Sequence, residues 1–102
     1  MKQFPAILHA KNKAKLKDAY YKRTLCYLRR NIYEHILKHE EKDYFDIDGF
    51  NKIYVGNMEM MNKLIGVIIE ELNKLEWNTK IAFGGTGLFI YSGETPPNTY
   101  WG

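Results

Sequence analysis

The residues best equipped for chemistry in this chain are cations. Nine of the fifteen Lys and Arg precede Glu34, and Asp18 is the single acid among those first 33 residues, a formal +8. The remaining 69 residues carry six cations and eleven anions, a formal −5, so the whole-chain value of +3 hides the division. Lys11, Lys15, Lys22 and Arg29 recur on one flank of a helical pattern, with Arg23 and Arg30 slightly further round. Basic side chains along one helix neutralise successive phosphates, and the interleaved Tyr20, Tyr27 and Tyr33 offer stacking surfaces. The pattern points to an anionic partner: a nucleic acid, an acidic protein surface or a phosphorylated ligand. A solvated helix face is the competing explanation. No zinc finger or RNP aromatic pair is present, so nucleic-acid binding would be driven by shape or charge.

The other motifs fall short of their chemistry. Gly84-Gly85-Thr86-Gly87 is glycine-rich enough to approach a phosphate, but no Lys follows it, and Ile90 stands where a dinucleotide fingerprint needs its last glycine. A turn explains those glycines, with a ligand-contact loop as the alternative. Asp46-x-Asp48-Gly49 has the look of a calcium loop, yet Tyr44 and Val55 occupy its first and twelfth ligand positions. His35 and His39 lie four apart without the H-E-x-x-H pattern, so they read as an imidazole pair on a helix face rather than metal ligands. Cys26, the sole cysteine, has cations one helical turn away that favour its thiolate, but no base or oxyanion site accompanies it. The expectation is a non-enzymatic protein with no catalytic residues, metal or cofactor.

These side chains need elements to hold them. Ala10, Ala14, Tyr21, Leu25, Leu28, Ile32 and Ile36 form one apolar stripe, predicting a helix from about Ala10 to His39. Asp48-Gly49 signals a turn, and the β-branched and aromatic residues from Phe50 to Val55 predict a strand. Asn57 is a helix cap, with Glu59 in the first turn. Met58, Met61, Ile65, Ile68, Leu72 and Leu75 then repeat at alternating spacings of three and four, the plainest helix in the chain. Period-two segments at 79–83 and 88–92 flank the glycine loop as a hairpin, with Ile81 and Phe83 sharing a face with Leu88 and Ile90. The predicted fold is α+β in the order α-β-α-β-β: two helices packed on one face of a three-stranded antiparallel sheet. Residues 1–102 form one domain, with 93–102 as an extended tail carrying Tyr100 and Trp101, candidate anchors for a partner.

Composition bounds the setting. At 45% hydrophobic and 15% aromatic, the chain can build one small core. A domain of this size buries only about 60–70% of its unfolded surface, which makes a homo-oligomer natural. A lone cysteine excludes an internal disulfide and fits a reducing compartment. The N-terminal segment lacks the apolar run of a secretory signal, and no stretch approaches the ~18 apolar residues of a membrane span. The expectation is a soluble cytoplasmic protein with no membrane partner.

The run from Ile68 to Ile81, an amphipathic helix ending at Trp77 before a hairpin, follows a strand and a basic N-terminal helix. That layout resembles small accessory proteins of tailed phages and large DNA viruses, although such proteins carry Gly before the aromatic where this chain has Glu76. The resemblance implies a viral accessory protein that acts by binding in the host cytoplasm. Three functions follow as expectations. The first is engagement of an anionic partner through Lys11, Lys15, Lys22, Arg23, Arg29, Arg30, Tyr20 and Tyr27. The second is sequestration of a phosphorylated nucleotide signal of host defence by an oligomer, through Gly84, Gly85 and Thr86 with a neighbouring subunit's cations. The third is a structural or inhibitory protein–protein module using Tyr100, Trp101 and the hairpin.

Overall fold

The computed structural model describes residues 9–93. A 3₁₀ turn at Ala10–Asn12 leads into α1 (Lys13–Lys38), followed by a two-residue strand β1 (Phe45–Asp46). A short helix α2 (Ile47–Phe50) runs directly into a π-helical turn at Asn51–Val55. Then come α3 (Met58–Lys74) and the hairpin strands β2 (Asn78–Ala82) and β3 (Gly87–Tyr91). The fold is α+β with a three-stranded antiparallel sheet, as the sequence predicts.

The strand expected over residues 50–55 is instead helical. Asp46 decides this: its Oδ1 accepts the backbone N–H of Gly49 at 2.9 Å, which starts a helix where β-propensity favours extension. Helical spacing then turns Ile47 and Phe50 into the core together, while Ile53 faces solvent. Gly56, at φ 75°, closes the turn by donating to the Asn51 carbonyl at 2.7 Å. The third strand is supplied one step earlier, by Phe45 and Asp46 pairing with Leu88 and Gly87. β3 thereby becomes the central strand, in the order β1-β3-β2.

α3 is built as its pattern requires. The Asn57 side chain accepts the Met60 N–H at 3.1 Å, satisfying one of the orphan amides of the first turn. Met61, Leu64, Ile65, Ile68 and Leu72 are buried. The helix closes in a Schellman arrangement, with Trp77 N–H on the Leu72 carbonyl and Glu76 N–H on that of Asn73, both at 3.0 Å. That motif places Glu76 in the left-handed region, at φ 68°.

One core joins Leu25, Leu28 and Ile32 of α1, Phe45, Ile47 and Phe50, the buried face of α3, and Leu88 and Ile90 of β3. Phe89 is buried too, with Tyr44 and Phe83 against it at centroid distances of 6.1 and 6.0 Å. Ile81 shares a face with Leu88 as expected, and the observed register pairs the two directly. Phe83 departs from the expected alternation, because its φ of 57° takes it out of the strand and onto the Tyr44 and Phe89 side. There it fills the space above Gly87, where a Cβ would come within 2.7 Å of the Phe83 ring and 2.9 Å of the Tyr44 ring.

Candidate functional site: a cationic arm and its aromatic root

The first buried residue of α1 is Thr24. Residues 10–19 contain no buried side chain, and only Asn12 and Leu16 are half-buried. The core therefore grips the second half of α1, and the first half stands out as an arm. The shape agrees: the radius of gyration is 16.2 Å, with extents of 52 × 25 × 23 Å. A compact domain of this length would have a radius of about 13 Å.

Electrostatics divides the six predicted cations. Arg29 is engaged by its own fold: Nε and Nη2 donate to the two Glu71 carboxylate oxygens at 2.9 and 2.6 Å, bridging α1 to α3. The hydrogen bond to Glu71 raises the Arg29 pKa, and its counterpart holds the Glu71 carboxyl below its ordinary range. Lys22 pairs with Asp18 at 3.1 Å and Arg30 with Glu34 at 4.0 Å. Lys11, Lys15 and Arg23 make no ion pair among the described residues. The expectation of one continuous basic ridge is thus corrected, since half of its members already face carboxylates of the same chain.

In their place the arm brings in Lys13 and Lys17, which the sequence reading did not single out. Neither has an ion pair among the described residues. At 100° per residue they lie roughly opposite Lys11 and Lys15, so the cations encircle the arm. Lys13, Leu16, Lys17 and Tyr20 form one wall of an open groove of about 720 Å³, and Asn57, Glu59, Met60 and Lys63 at the start of α3 form the other.

Where the arm meets the body, aromatic side chains gather. The Tyr20 hydroxyl donates to the Tyr54 carbonyl at 2.8 Å, and the Tyr27 and Tyr54 rings lie 5.8 Å apart. The Arg23 guanidinium sits 5.8 Å from the Tyr20 ring centroid, within cation–π range. Phe50 backs Tyr54 at 4.6 Å. Tyr33 lies elsewhere: it lines an apolar groove of about 510 Å³ between the ends of α1 and α3, with Leu37, Leu75 and Trp77.

The remaining candidates are accounted for locally. In the hairpin loop Gly84 and Gly85 have φ of 67° and 98°, values that suit glycine. The Thr86 hydroxyl donates to the Phe83 carbonyl at 2.8 Å, and the Thr86 carbonyl accepts Ile47 N–H and Asp48 N–H at 2.9 and 3.4 Å. The loop's polar groups thus hold the start of α2. His35 and His39 stack at 4.8 Å, with His35 Nε2 3.2 Å from the Asp43 carbonyl oxygen. Burial, the largest influence, lowers the His35 pKa. Among the described residues no group of three or more His, Cys, Asp and Glu side chains gathers to hold a metal. Cys26 is exposed on α1. No described helix is long and apolar enough to cross a membrane. Tyr100 and Trp101 lie outside the described residues.

Comparisons with protein families, curated proteins and solved structures found no match.

Proposed function

We propose that this is a non-enzymatic accessory protein of viral type, acting in the host cytoplasm, that binds nucleic acid through the cationic arm. One observation carries the reading: a helical arm without a buried side chain presents Lys11, Lys13, Lys15, Lys17 and Arg23, none paired with a carboxylate among the described residues. A helix segment that buries none of its side chains gains little from packing, so its natural stabiliser is a charged partner. Cations arrayed around a rod suit a flexible polyanion better than the fixed facet of an acidic protein.

Charge complementarity with a second copy is a weaker stabiliser for the arm. The carboxylates of Glu34, Glu40, Asp48, Glu70 and Glu71 each lie within 4.0 Å of a Lys or Arg of their own chain. Five of the eleven carboxylates after residue 33 are thus already engaged, which leaves less acidic surface for the arm of a second copy to meet.

The test is the salt dependence of binding, read by fluorescence anisotropy with labelled oligonucleotides. Five phosphate contacts would give a slope of log K against log salt between about −3.5 and −4.5, a loss of about 100- to 500-fold from ~50 to ~200 mM. Replacing the five arm cations with Gln should abolish binding without unfolding the protein. Undetectable binding at ~50 mM salt, or affinity unchanged by the five replacements, would sink the reading.

A further inference from the structure

The arm and the aromatic cluster at its root form one surface. Lys13, Tyr20 and Tyr27 follow one another at intervals of seven residues, close to two helical turns, so they lie along one line of α1 over about 21 Å. Tyr54 joins that line from the π-helical turn, fixed beside Tyr20 by the hydroxyl–carbonyl hydrogen bond and beside Tyr27 by ring contact. The three tyrosines are 38%, 44% and 39% exposed, each partly held and partly open to a ligand. Arg23 over Tyr20 adds a planar cation to the same surface.

A duplex gives such a surface little to do, because its base faces are stacked on one another and only phosphates meet the protein. A single strand offers both: phosphates for lysines and unstacked bases for aromatic rings. Building on the nucleic-acid reading above, we propose that the ligand is single-stranded nucleic acid, with Lys13 and Lys17 contacting phosphates and Tyr20, Tyr27 and Tyr54 stacking on bases. Stacking is indifferent to base identity, so binding should be sequence-tolerant.

The experiment uses the full chain with labelled oligo(dT) and oligo(U) of ~20 nucleotides and a duplex of equal length, at ~50 mM salt. Either single strand should bind more tightly than the duplex. Tyr27→Ala should weaken single-strand binding by about 5- to 150-fold, the range for losing one stacked base, and leave duplex binding unchanged. Tyr27→Phe keeps the ring and should bind as the parent does. Thermal melting of each variant separates lost stacking from lost fold, and Tyr54→Ala provides a second reading of the same surface. If the duplex binds as tightly as the single strands, or both alanine variants bind single strands normally, strand selectivity is refuted and the charge-based reading survives. If neither form binds, both fall together.

Discussion

Replacing Arg29 with Gln removes a cation that the charge pattern groups with the arm but that the fold uses differently. Its two hydrogen bonds to Glu71 tie α1 to α3, and the paired side chains are 49% and 39% exposed. Exposed ion pairs contribute about 0.2–1 kcal/mol, and forked Arg–carboxylate geometry belongs near the top of that range. A double-mutant cycle with Arg29→Gln and Glu71→Gln, followed by urea denaturation, should therefore give a coupling of about 0.5–1 kcal/mol. Arg29→Gln alone should lower the melting temperature by about 2–8 °C for a domain of this size. The sign of the pH dependence follows from Glu71. Its folded pKa lies below its unfolded value, so the contribution is present above the ordinary carboxylate pKa and is lost as pH falls through the lower folded value. Nucleic-acid affinity should hardly change in Arg29→Gln, while Glu71→Gln frees a cation and should strengthen binding slightly. A coupling near zero, together with an affinity loss in Arg29→Gln as large as in Lys17→Gln, would show that the division of cations is wrong.

Two further outcomes test the fold around the site. Glu76 occupies the left-handed residue of the α3 terminus, so Glu76→Gly should stabilise the protein by up to about 1 kcal/mol, seen as a higher urea midpoint with an unchanged slope. The His35 pKa is lowered in the folded protein, so the unfolded chain takes up its proton first, and stability should fall as pH drops below about 6.5. His35→Gln should flatten that part of a stability–pH curve.

The α3 helix was legible because every level agrees on it: the three-and-four spacing, the Asn57 cap and the buried face all coincide. Only its ends depart, with Met58 and Leu75 exposed where the stripe runs past the core. From Phe50 to Val55 the β-branched side chains weigh toward a strand, whereas the Asp46 carboxylate, capping a helix at Gly49, sets the outcome. That one misassignment also hid Tyr54, which joins Tyr20 and Tyr27 only when its segment is helical. The ion pairs of Lys22 and Arg30 lie within one helical turn and could have been anticipated from the spacing of Asp18 and Glu34. Arg29 could not, because Glu71 is 42 residues away and meets it only through the packing of two helices.

The arm shares an unbroken helix with the clamped half of α1, so its rotational setting is dictated by Leu25, Leu28 and Ile32 rather than by anything the arm touches. Slipping one extra residue in after Ala19 would swing Lys13 and Lys17 about 100° around the axis relative to Tyr27 and Tyr54. Core side chains would stay seated while the line of charges and rings came apart. Spacing between root and tip is thus a constraint in its own right, invisible in any list of the arm's contacts.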